Sequence, residues 1–141
     1  MTEFRSTDEF REVIDGVFGL MSTDPEMGPA LRDARTPQRF EFPDVDMVLN
    51  VTAADEVRDG QHLQWQWSDD VPWKPEVEMS MESEVANRYF QGKENVAVAL
   101  ARRRIKSKGN VKKALSLIPI TKPVFARYRA MLEEKYPHLV E

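Results

Sequence analysis

His62, His138 and the adjacent pair Asp69 and Asp70 are the side chains through which this sequence could move a proton or hold a metal. Imidazole titrates near neutrality, and two carboxylates can divide into acid and base when their surroundings push their pKa values apart. The spacing supports neither role. His62 alternates onto the polar side of a strand pattern, His138 lies near the C-terminal end, and Asp69 and Asp70 fall in a polar stretch where carboxylates are ordinarily solvated. The chain has no cysteine, which removes thiol nucleophiles, disulfides and thiolate metal sites together. Gly-x-Gly-x-x-Gly, Gly-x-Ser-x-Gly, a phosphate loop and His-Glu-x-x-His are all missing from the sequence. No catalytic residue, metal ligand or cofactor site is expected, and an enzyme reading ranks behind a binding one.

The chemistry that remains is apolar. Trp65, Trp67, Met79, Met81, Tyr89 and Phe90 are large or pliable: methionine adapts to irregular guests, and an indole or phenol offers a broad apolar surface with a polar tip. Such residues are first of all a core, so their use depends on the elements that carry them. Ser6-Thr7-Asp8-Glu9 is a capping-box signature ahead of Phe10, Val13, Ile14, Val17, Phe18 and Met21, which predicts an amphipathic helix over 7–22. Asp24-Pro25 opens a shorter helix to about Ala34. From Arg39 the period changes to two, with Pro43-Asp44 as a turn. Further strands run through Leu49, through Leu63, Trp65 and Trp67 after a polar loop containing Asp59-Gly60, and through Val77, Met79 and Met81. These consecutive, one-sided strands suggest an antiparallel meander covered on one face.

Downstream, Ser83 is expected to cap a helix through Phe90 that stops at Gly92. A second helix starts at Asn95 and carries Leu100, and a basic edge strand is centred on Ile105. Asn110 caps a helix with Leu115 and Ile118 that Pro119 limits, and Thr121-Lys122-Pro123 opens a last helix carrying Phe125. Inner-face residues Leu49, Leu63, Trp65, Trp67, Met79, Met81 and Ile105 would then oppose Phe18, Phe90, Leu100, Leu115, Ile118 and Phe125 across a cavity. Burying a dozen methylenes there offers on the order of 10 kcal/mol before association costs.

Charge is unevenly spread. The net charge is −4, yet no acid occurs between Glu94 and Glu133, an interval holding ten cations. The other ten basic residues face all 24 acids, a balance of −14. So acidic a remainder opposes nucleic acid, and no nucleic-acid partner is expected. The cations read either as a solvated face or as a surface for an anionic headgroup or membrane, with Arg102, Arg103, Lys112 and Lys113 as candidates. The polar, acidic start from Met1 is unlike a secretory signal, and no window has the roughly 18 apolar residues of a membrane helix, so a cytoplasmic location is expected.

Gly92-Lys93-x-Asn95, Ala99-Leu100, Ile105-Lys106-x-x-Gly109 and Ala114-Leu115-x-Leu117 follow one another at spacings that resemble the sterol carrier protein type 2 (SCP2) family. The family often has proline where this chain has Val96, and glycine where it has Arg103. The resemblance implies an α+β fold: a single, mainly antiparallel five-stranded sheet with helices packed on one face around an apolar cavity. It covers residues 38–118, preceded by N-terminal helices over 1–35 and followed by a C-terminal helix over 119–141, all in one domain of residues 1–141. It also implies non-catalytic binding or transfer of a hydrophobic ligand such as a fatty acid, acyl conjugate or sterol. The alternative is an accessory domain whose pocket is filled by a helix of a homodimer mate or enzyme partner.

Overall fold

The computed structural model describes residues 3–141; Met1 and Thr2 of the polar start lie outside the described residues. Helix α1 spans Thr7–Thr23, and Ser6 Oγ accepts from the Glu9 backbone N–H at 3.0 Å, as the capping signature requires. The reciprocal half of the box is displaced by one residue: Glu9 Oε1 accepts from the Arg5 N–H rather than from Ser6. Asp24 Oδ2 takes the N–H groups of Glu26 and Met27 and so starts α2, Met27–Ala34.

Strands β1 (Gln38–Phe42) and β2 (Met47–Arg58) pair antiparallel around the expected turn at Pro43-Asp44. The Asp59-Gly60 segment is a tight hairpin rather than a loop. Both residues have positive φ, 54° and 76°, as a two-residue type I′ turn demands, and β2 runs through it directly into β3, Gln61–Gln66.

The meander expectation fails at the next step. Strand β4 (Val77–Met81) lies beside β1 and parallel to it, giving the order β3-β2-β1-β4-β5, so the sheet is mixed, with three antiparallel pairs and one parallel pair. The reason is the long connection 67–76, which returns past the start of β1, where the Pro37 carbonyl accepts from the Glu76 N–H. Alternation within a strand reports which face is buried and not which strand is its neighbour.

After β4 come α3 (Ser83–Phe90) and α4 (Val96–Ala101), the edge strand β5 (Ile105–Gly109), the short α5 (Val111–Ser116) and α6 (Ile118–Thr121), and α7 (Val124–Lys135). A 3-10 turn at Pro137–Leu139 follows. Asn95 and Asn110 cap α4 and α5 through their side chains, as expected. Ser83 does not cap α3. It is the first helical residue, and its N–H and hydroxyl both donate to Asp44, tying α3 to the β1–β2 turn. Gly109, at φ 85°, cannot carry a Cβ without colliding with the Glu76 carbonyl oxygen, which fixes why β5 ends in glycine.

Phe10, Val13, Ile14 and Val17 of α1 are buried with Leu49 and Val51 of β2 and with Val124, Tyr128 and Leu132 of α7. The last helix therefore packs into its own chain's core. The opposite sheet face is polar: Arg39 pairs with Glu41, Glu78 and Asp69. Among the described residues no helix is long and apolar enough to cross a membrane.

Candidate functional site: an apolar pocket and a basic cleft

Between sheet and helices lies a pocket of about 100 Å³ whose 24 lining residues include no charged side chain. Its floor is Phe40, Phe42, Val51, Leu63, Met79 and Met81; Ile14, Phe18 and Met21 of α1 and Phe90 of α3 form its walls. Leu115 of α5 also lines it and is 39% exposed, so the pocket reaches the surface there. Its polar lining is Thr36, Gln38, Thr52 and the pair Tyr89 and Thr121. The Tyr89 hydroxyl is 3.1 Å from Thr121 Oγ1, and Thr121 itself donates to the Ile118 carbonyl, which makes Tyr89 the donor of the pair and leaves its lone pairs free. Burial pushes the Tyr89 phenol above its ordinary pKa, keeping it neutral.

Of the expected ligand-facing residues, Phe18, Leu63, Met79, Met81, Phe90, Ile105, Leu115 and Ile118 lie on this wall. Leu49, Trp65, Trp67, Leu100 and Phe125 do not. Leu49 is fully buried in the core, and Phe125 stacks edge-on against Tyr89 at 5.5 Å, beside Gly92. Trp65 and Trp67 do face the helices, but both indole N–H groups donate to Asp15 Oδ1 of α1, at 3.0 and 2.7 Å. That shared acceptor turns their polar tips toward α1 and makes them a clamp between α1 and the sheet. Asp15 was not anticipated, although its place one residue past Ile14 and three before Phe18 sets it beside the inner stripe of α1.

The four basic candidates separate. Lys113 pairs with Glu76 at 2.8 Å at the Val77 end of β4, and Lys112 precedes it on α5. Arg102 and Arg103 lie at the other end, where β5 pairs Ile105 with Met81. There they border a cleft of about 700 Å³ together with Arg88, Arg104, Lys106, Glu82, Glu84 and Glu94. Glu94 is the organising group. Its side chain is 1% exposed and accepts from Arg88 Nε at 2.9 Å and from Arg104 Nη2 at 2.6 Å. Burial raises its pKa, and the two arginine hydrogen bonds outweigh that effect, holding the carboxyl below its ordinary range. Sequence reasoning missed Glu94, though it is the last acid before the acid-free interval.

The remaining titratable candidates are tied into structure. His62 Nδ1 donates to the Ser22 carbonyl at 2.8 Å, while Ser22 Oγ accepts from the N–H groups of His62 and Leu63, joining α1 to β3. His138 is no frayed bystander: its Nε2 donates to Glu9 at 2.8 Å, and neighbouring Leu139 is fully buried. Asp69 bonds Arg39 on the polar sheet face, and Asp70 is exposed. No group of three or more potential metal ligands occurs among the described residues.

No protein-family model matches the chain, and no curated protein matches its sequence. Solved structures do match. The sterol carrier protein domain 2 of Helicoverpa armigera superposes with a TM-score of 0.61 at 18% identity, over 82% of this chain and 87% of that one. The ubiquinone synthesis protein UbiJ-SCP2 gives 0.61 at 6% identity, over 82% and 94%. The inverting sec-alkylsulfatase Pisa1 from Pseudomonas sp. gives 0.59 at 17% identity, over 76% of this chain and 16% of that enzyme. This chain thus spans about one sixth of the sulfatase's length and nearly all of the two free-standing domains. The fold is SCP2-like.

Proposed function

We propose that the protein, acting as one domain, binds or transfers a hydrophobic ligand such as a fatty acid, acyl conjugate or sterol, without catalysing a reaction on it. The observation that carries this reading is the uncharged pocket, floored by sheet residues and walled by helices, with the Tyr89–Thr121 hydroxyl pair at its side. The match to sterol carrier domains supports it from the side of fold. Apolar burial supplies affinity, and the Tyr89 and Thr121 oxygens supply a point of orientation.

Size decides what must happen on binding. Pockets for ligands of drug size run to about 300–1,000 Å³, so 100 Å³ describes a closed state that opens around a guest. The parts suited to yield are α5 and α6, of six and four residues, too short to hold themselves without tertiary packing. Met79 and Met81 can change rotamer beneath them. Arg102, Arg103, Lys112 and Lys113 would serve headgroup or membrane contact from two separate places.

Native mass spectrometry of the purified protein, followed by organic extraction, tests the reading. A bound mass recovered as a lipid is the expected result. A bare chain that also takes up no fatty acid, acyl conjugate or sterol on titration would overturn it. The second reading, an accessory domain whose pocket is filled by a partner's helix, is favoured by the closed pocket and by the position of such a domain within the much longer sulfatase. A homodimer or a stable complex with an enzyme, lacking any lipid, would select it.

A further inference from the structure

The basic cleft adjoins the apolar pocket through one residue: Met81 lines both. Five cations and three carboxylates border the cleft. Glu94 engages two of the cations, Arg88 and Arg104, and Arg88 also reaches Glu141. Arg102, Arg103 and Lys106 enter no ion pair among the described residues and are exposed. The unneutralised charge of the cleft therefore stands on these three: Arg102 and Arg103 precede Ile105, the cross-strand partner of Met81, while Lys106 pairs with Ser80 and borders the cleft from the other sheet face. Glu82 and Glu84 are also exposed at its rim and would set a limit on how much anionic charge it accepts.

The backbone bears on the same point. Arg103 sits in the left-handed region at φ 59°, where an L-residue is disfavoured and glycine is at ease. It ends α4 with two bonds, from its own N–H to the Leu100 carbonyl and from the Arg104 N–H to the Ala99 carbonyl. Gly92 ends α3 with the same pair of bonds at φ 74°. Arg35 closes α2 in the same region at φ 46° and borders neither the pocket nor the cleft, so what distinguishes Arg103 is its place on the cleft rather than its backbone.

We infer that the cleft receives the phosphate headgroup of a single-chain amphiphile whose hydrocarbon chain passes Met81 into the pocket. Arg102 and Arg103 bind the phosphate, Lys106 adds positive charge from the cleft's rim, and Glu94 fixes Arg88 and Arg104 as the cleft's wall. Guanidinium forks match phosphate oxygens in pairs, which gives two adjacent arginines orientation as well as charge. The inference rests on the pocket reading and names the ligand class for it.

The test compares two lipids with the same acyl chain, a lysophosphatidic acid and the uncharged monoacylglycerol, on wild type and on the Arg102→Gln/Arg103→Gln variant. Lys135→Gln, exposed on α7 and bordering neither the pocket nor the cleft, serves as a charge control. Wild type is expected to bind the phosphate lipid about tenfold more tightly, the double variant to lose that preference while keeping its monoacylglycerol affinity, and Lys135→Gln to keep both. Equal affinity of wild type for the two lipids would overturn the inference and leave the pocket reading standing. So would parallel loss of both lipids in the double variant. Failure of wild type to bind either lipid would overturn the pocket reading along with it. Preference for phosphate vesicles without binding of the monomeric lipid would make the cleft a membrane contact, contrary to the inference.

Discussion

Arg103 occupies a left-handed backbone conformation that costs an L-residue stability. A left-handed L-residue costs roughly 1–2 kcal/mol, and glycine's extra unfolded-state freedom takes back about 0.5–1 kcal/mol. Arg103→Gly is therefore expected to raise unfolding free energy by about 0.5 kcal/mol in denaturant titrations while weakening any phosphate-lipid binding; a destabilised variant would show that the side chain supports the fold. Glu94 behaves in the opposite sense. Its folded pKa is depressed, so its contribution is fully present above the ordinary glutamate value of 4.5 and disappears as pH falls through the lowered folded value. Glu94→Gln should cost about 1–2 kcal/mol at pH 7, less than a fully buried pair because Arg88 and Arg104 are partly exposed. The gap between wild type and variant should close in acid. A gap that stays constant from pH 7 to pH 3 would show that packing, not charge, holds this corner.

At the scale of elements, what was legible in the sequence is what local physics determines. The stripe of α1, the asparagine caps of α4 and α5, and the stop at Gly92 all follow from side chains within a few residues of one another. The hairpin at Asp59-Gly60 is equally local, but the polar run before it gives the pattern of a loop and hides the continuation of β2. Missed altogether were contacts across the chain. Trp65 and Trp67 face the helices without lining the pocket, and no local pattern says that one carboxylate on α1 accepts both indoles. Asp15→Ala should leave two indole N–H groups without a partner and cost about 2–4 kcal/mol, with a shift in tryptophan emission. Asp15→Asn, which keeps an acceptor, should recover most of the loss. Equal damage from both substitutions would place the effect in charge rather than in the hydrogen bonds.

Across the whole molecule, the sheet order and the split of the basic face escaped the sequence for one reason: both depend on where the connection 67–76 carries the chain. Placing β4 beside β1 sets Met79 opposite Phe40 and brings the β5 end with Arg102 and Arg103 against Met81, away from Lys112 and Lys113. The same placement makes the pocket. At 100 Å³ it falls short of the roughly 300 Å³ and more that drug-sized ligands take, so binding a lipid requires it to widen. Methionine methyl groups sample this directly, because Met21, Met79 and Met81 line the pocket while Met27, Met47 and Met131 do not. The decisive measurement is an NMR titration of protein labelled with carbon-13 at the methionine methyls, using palmitate as the probe. A hydrophobic-ligand site predicts saturable shifts of the Met21, Met79 and Met81 signals with Met27, Met47 and Met131 little changed. A spectrum unmoved by palmitate, or shifts spread evenly over these six and Met1, would contradict it.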